Sequence, residues 1–214
     1  MEARYVIFDL DDTLVHSMAV RAALASVADD CGIPRDTLAH TLDRLPGRPA
    51  IEVFEALGLE RDAAREASGR FLRVLREVDD RLPTVPYPDA DTTLRALAAS
   101  GSTLMLSTGS SPERARKVLE QEGWDGFSLV LGSNDACRKG GAHYEQISAE
   151  ADDANWMQQA VTVGDSPSDM RLGAEHGVPV RIGIDRGGDA VRLLKAGATH
   201  VVSSLSAILP ILAI

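Results

Sequence analysis

The sequence predicts an α/β fold, a parallel sheet with helices on both faces, with an all-helical segment inserted early in the chain. Three observations predict it. After residue 88, short apolar runs alternate with single helical stretches, the pattern of a parallel sheet covered on both sides. Between residues 18 and 86 there is helical periodicity and no strand pattern. One apolar run, Tyr5 to Phe8, precedes that helical stretch, so the sheet is assembled from both sides of it.

Taken in order, Tyr5 to Phe8 has the length and β-branched content of a buried strand. From Met18 to about Ala28, Val20, Leu24 and Val27 follow helical spacing, and Gly32 and Pro34 stop the helix. Further helices are expected near 36–43, 49–57 and 62–78, broken at Pro46-Gly47 and Gly58. In the last of them Ala67, Phe71, Val74 and Val78 form one stripe. Pro83, Pro86 and Pro88 make a stiff boundary. Strands are then expected near 102–107, 127–131, 160–163, 179–184 and 200–202. Helices fall between them near 112–122, 142–150, 168–175 and 189–195, with one before them near 91–99. This divides the chain into a core, residues 1–16 and 87–214, and a helical insert, residues 17–86.

Composition narrows the function classes. Of 214 residues, 44% are hydrophobic and 25% charged, as in ordinary globular proteins. No apolar run nears the roughly 20 residues of a membrane span, and no secretory pattern opens the chain, so the cytoplasm is expected. The net charge of −10 disfavours nucleic acid as a partner. It also repels anionic substrates at long range, so a phosphate site needs local positive charge. Cys31 and Cys137 read as free thiols. The apolar tail, residues 205–214, packs either on the core or on a partner, such as a second copy in a homodimer.

Chemistry concentrates at the ends of the strands. Asp9, Asp11 and Asp12 follow the first strand directly, and three carboxylates in four residues repel one another. A hard cation such as Mg²⁺ would remove that conflict. Alternation puts Asp9 and Asp11 on one side and Leu10 into packing, so one carboxylate can be nucleophile and metal ligand, the other general acid/base. A calcium loop fails, because Leu14 and Val20 stand where glycine and glutamate are needed. The strand near 102–107 runs into Ser107-Thr108-Gly109-Ser110-Ser111-Pro112, with Ser111 as N-cap and Pro112 at the first helical position. Hydroxyls and free N–H groups beside a helix N-terminus suit an anion. The strand near 160–163 again ends in carboxylates, Asp165 and Asp169, behind Gly164.

These segments resemble, in order, the four motifs of the haloacid dehalogenase superfamily. Asp9-Leu10-Asp11-Asp12-Thr13 resembles motif one, and the 107–109 loop motif two. Lys139, followed by Gly140-Gly141 where many relatives have proline, resembles motif three. Gly164-Asp165-Ser166-Pro167-Ser168-Asp169 resembles motif four. The resemblance implies a Rossmann-like core and, in the helical insert, an α-helical cap as in phosphoglycolate-phosphatase-like members. It implies that Asp9 attacks phosphorus to form an aspartyl-phosphate, and that Asp11 serves as acid and then base. Thr108 and Gly109 would bind the phosphoryl group, with Ser107 the alternative to Thr108. Lys139 would neutralise charge, with Arg138 its competitor. Asp9, Asp11 and Asp165 would hold Mg²⁺, and Asp169 would orient Lys139 or a metal-bound water. Relatives that cleave carbon–halogen bonds generally lack the second aspartate of motif one, so Asp11 favours phosphate chemistry on a small phosphate ester. A phosphotransferase or sugar-phosphate mutase, and a noncatalytic regulatory protein, are the alternatives. Arg21, Arg44 and Arg48 are candidates for a second anionic group on the substrate, and His16 stands where many relatives carry an acid. No histidine pair has a zinc spacing.

Overall fold

The computed structural model describes residues 4–16, 18–45, 49–79, 81–134, 136–151, 153–187 and 189–214. The expected break at Pro46-Gly47 and the candidate Arg48 lie outside them. The chain opens with β1 (Tyr5–Phe8), followed by α1 (Met18–Asp30), α2 (Arg35–Arg44), α3 (Ala50–Ala56) and α4 (Arg61–Asp79). Then come α5 (Ala90–Ala99), β2 (Thr103–Ser107), α6 (Pro112–Glu122), β3 (Phe127–Leu131) and α7 (Gly141–Glu150). A 3₁₀ turn (Trp156–Gln159) leads into β4 (Ala160–Gly164), α8 (Pro167–Glu175), β5 (Val180–Ile184), α9 (Ala190–Lys195), β6 (His200–Val202) and α10 (Ile208–Ile211).

All strand pairs are parallel, in the order β3-β2-β1-β4-β5-β6. The chain builds outward from β1 on one side, then restarts beside β1 with β4 and builds the other way. Strand order therefore reverses between β1 and β4, where such sheets bind ligands at the strands' carboxyl ends. Alternation sends Val6 and Phe8 into one core with Leu104, Leu106, Val161 and Val163. It sends Tyr5 and Ile7 into a second, on the opposite face, with Met105, Tyr144, Ile147 and Trp156. Both faces are buried, which is why the strands read as unbroken apolar runs. Each fully buried side chain of this size contributes roughly 1.5–3 kcal/mol.

The chain divides into two compact units, Met1–His16 with Pro86–Ile214, and Ser17–Val85. The second has its own core, in which Ala64, Ala67 and Phe71 of α4 meet Ala23, Leu24, Val27 and Ala28 of α1, with Val74 and Val78 packed alongside. The stripe expected on α4 is that buried face. Two elements had no counterpart in the sequence reading. Trp156 drops into the second core within the 3₁₀ turn, and α10 forms in the tail. Leu205, Ile208 and Leu212 are buried in the first core, so the tail packs on the core of its own chain. Among the described residues no helix is long and apolar enough to cross a membrane.

Candidate active site

The site forms at the reversal of strand order. Asp9 extends β1 by one residue, its N–H donating to Val163 O at 2.9 Å. The register pairs Phe8 with Leu106 and with Val163, so the next residues along, Ser107 and Gly164, flank Asp9 at one level of the sheet. The chain then turns at once. Leu14 and Val15 donate back to Leu10 O, and Asp12 takes φ 55°, a left-handed conformation that Asp tolerates better than bulkier residues. Leu10 packs into the first core, as alternation predicts.

Lys139 precedes α7 and turns inward. Its Nζ lies 2.7 Å from Asp9 Oδ1 and 2.5 Å from Asp169 Oδ1. Arg138 is exposed, so of the two adjacent cations Lys139 is the one beside the carboxylates. Asp169 is also the third residue of α8. Its Oδ2 accepts from the Ser166 N–H and hydroxyl at 3.2 and 2.6 Å, closing a capping box. Capping and ion pairing are thus one arrangement, with Ser166 as N-cap. Gly164 is needed for it: a Cβ there would overlap the Asp169 carboxylate.

The carboxylate oxygens of Asp9, Asp165 and Asp169 lie within 4.8 Å of one another. Burial pushes the Asp9 carboxyl up to about 7, with Lys139 pulling against it and Asp169 and Asp11 adding to it. Burial, then the charges of Asp9, Asp169 and Asp12, push Asp165 well above the ordinary carboxylate range. Burial alone would lower Lys139, but Asp169 and Asp9 more than offset it and raise it above its usual value. Three carboxylates face one ammonium, and a hard cation with oxygen ligands fits that imbalance.

Asp11 is held elsewhere. Expected among the metal ligands, its carboxylate instead meets Arg114, with Nη2 2.9 Å from Oδ1 and Nη1 3.1 Å from Oδ2. The Ser110 hydroxyl donates to Oδ2 at 2.6 Å. Asp169, expected only to orient Lys139 or a water, takes the third place in the cluster. Sequence reasoning missed Ser110 and Arg114. A signal was available, because a cation in the first turn of a helix opposes the macrodipole and calls for a nearby anion.

The loop after β2 behaves in part as expected. Ser111 caps α6, accepting from Arg114 N–H at 3.1 Å, with Pro112 at its start. The Ser107 hydroxyl is buried against His143 Nδ1 at 2.9 Å. Thr108 Oγ1 accepts from Ser110 N–H at 3.1 Å. A Cβ at Gly109 would meet nothing within 4 Å, so packing does not demand glycine there. Ser133, also missed, donates its hydroxyl to Thr108 O at 3.0 Å and accepts from Lys139 N–H at 2.8 Å. Outside the site, His16 lies against Tyr87 with ring centroids 4.0 Å apart. Arg21 and Arg44 are exposed, and Cys31 and Cys137 are free thiols.

The description of the haloacid dehalogenase-like hydrolases matches residues 3–177, the span that contains every group above. The chain belongs to that family. A phosphoglycolate phosphatase of Rhodospirillum rubrum is 35% identical over 195 residues, covering 82% of this chain and 77% of that one. Another, of Psychrobacter arcticus, is 29% identical over 187 residues, covering 81% and 80%. Among solved structures, a haloacid dehalogenase-like family hydrolase from Streptococcus pneumoniae superposes with a TM-score of 0.75 at 21% identity, over 97% of each chain. That likeness speaks to the fold, and the six-stranded parallel sheet agrees with it.

Proposed function

We propose that this haloacid dehalogenase-like hydrolase is a Mg²⁺-dependent phosphatase that releases phosphate from a small phosphorylated metabolite through an aspartyl-phosphate on Asp9. The observation that carries this reading is Lys139 bridging Asp9 and Asp169, with Asp165 beside them, at the reversal of strand order. Mg²⁺ would be held by Asp9 and Asp165, with Asp169 adjoining, and would supply charge neutralisation for the phosphoryl group and keep Asp9 ionised at neutral pH.

The chain's own residues account for the rest. Asp9 attacks phosphorus and the bond to the leaving oxygen breaks, while Asp11 gives that oxygen its proton. A water then attacks phosphorus, returns a proton to Asp11 and frees Asp9 with inorganic phosphate. Lys139 stays beside Asp9 through both halves and offsets the charge shared by nucleophile and phosphoryl oxygens. Thr108 is the phosphate-binding hydroxyl: it accepts from Ser110 and keeps its own hydrogen to donate, whereas the Ser107 hydroxyl pairs with the buried His143 Nδ1. The helical unit, within the 17–86 span, serves as the cap that sets specificity. The relatives named phosphoglycolate phosphatase suggest a small phosphorylated carboxylate as substrate.

The test is phosphate release from a panel of phosphomonoesters that includes phosphoglycolate, with and without Mg²⁺. Turnover should need Mg²⁺, and Asp9→Asn should lower it at least about 10³-fold, since no other group replaces the nucleophile. Release that persists in Asp9→Asn would overturn the covalent route. No release from any ester by folded protein with Mg²⁺ would overturn the phosphatase reading itself.

A further inference from the structure

We propose that Arg114, assisted by Ser110, is the positioning residue for Asp11, fixing its carboxylate for proton transfer to the leaving group. The inference rests on the reading of Asp11 as acid and base. Arg114 is buried at 6% exposure, unusual for an arginine unless a partner holds it. Its fork meets both oxygens of Asp11, a planar bidentate match that a lysine cannot make. Nη1 also lies 3.0 Å from Ser110 Oγ, and that hydroxyl donates to Asp11 Oδ2, closing a three-membered network.

The network is anchored at both ends. Asp11 leaves β1 through the turn that fixes Leu10, and Arg114 is set by the capped start of α6. The loop after β2 therefore does two things: it presents Thr108 at one end, and at the other it aims the proton donor. Proton transfer tolerates little misplacement, and a shift of about 1 Å costs on the order of 10²-fold in rate. Arg114 touches neither phosphorus nor leaving oxygen in this scheme and acts only through Asp11.

The experiment compares kcat/KM for an alkyl phosphate, whose alkoxide must be protonated, with that for p-nitrophenyl phosphate, whose phenolate leaves unaided. Arg114→Lys should lower the alkyl value on the order of 10²-fold and the aryl value no more than about three-fold. Ser110→Ala, a gentler change, should show the same asymmetry at about ten-fold or less. In an Asp11→Asn background Arg114→Lys should cost little more, because its effect passes through the missing carboxyl. Equal losses on both esters, or full additivity with Asp11→Asn, would overturn the proposal and leave Arg114 a structural residue. A wild-type protein inactive on both esters would instead overturn the phosphatase reading, and this inference with it.

Discussion

Asp9 and Asp11 stand two residues apart in one loop and are held in opposite ways. Asp9 shares a single lysine with Asp169 and is pushed towards its protonated form by burial and neighbouring carboxylates. Asp11 is met by a bidentate arginine and a serine hydroxyl. In its proposed role as nucleophile, Asp9 gains from being short of partners, because unspent charge would attack phosphorus and hold a cation. In its proposed role as proton carrier, Asp11 gains from fixed direction. On the proposed reading, the difference teaches that the loop after β1 separates reactivity from aim, and each half should be alterable without the other.

The largest expected effect comes from removing the lysine. Lys139→Ala should lower kcat on the order of 10²–10³-fold, the usual cost of a lost electrostatic stabiliser. It should also destabilise the metal-free protein by about 3–5 kcal/mol, since buried carboxylates lose their only nearby cation among the described contacts. Steady-state kinetics and urea unfolding would measure the two. If Mg²⁺ restores the stability of the variant but not its turnover, the lysine's chemical and structural duties are separated.

Next is Gly164→Ala, which drives a methyl into Asp169 and should cost roughly 1–3 kcal/mol as overpacking. Because Asp169 shares Lys139 with Asp9, turnover should fall while the alkyl-to-aryl ratio stays near wild type. A changed ratio would mean that the two halves of the loop are coupled after all.

A pH dependence of stability is expected as well. Asp9 sits at about 7 in the folded protein against 3.8 in the unfolded chain, so the folded state binds the proton more tightly. That contribution is complete below about pH 4 and is lost as pH rises through about 7; Asp165 acts with the same sign. Metal-free protein should therefore lose stability across that window, and Mg²⁺ should flatten the fall by favouring the ionised carboxylates. Thermal melts between pH 4 and 8, with EDTA or with Mg²⁺, measure it. A melting temperature that rises from pH 5 to 7 without metal would contradict this account of Asp9.

Much of the sheet was legible because a parallel sheet buried on both faces writes each strand as an apolar run, and each run ended where its chemistry began. Asp9 and Asp165 could be read this way. Lys139 could be found only through the resemblance, since adjacent Arg138 carries the same charge and tertiary packing decides which turns inward. The Arg114 pairing was only half legible: a first-turn cation calls for an anion, but that anion lies 103 residues away. The tail remained ambiguous for a similar reason: Leu205, Ile208 and Leu212 have helical spacing, but only the assembled core shows what they cover.

Ser133 has a mechanical consequence. Through one oxygen it joins the main-chain N–H of Lys139 to the main-chain carbonyl of Thr108. Thermal displacements of those two loops are therefore shared rather than independent. A displacement of one loop should therefore carry the other with it. On the proposed reading, groups that meet a phosphoryl group from two directions are thus registered by a side chain that carries no charge.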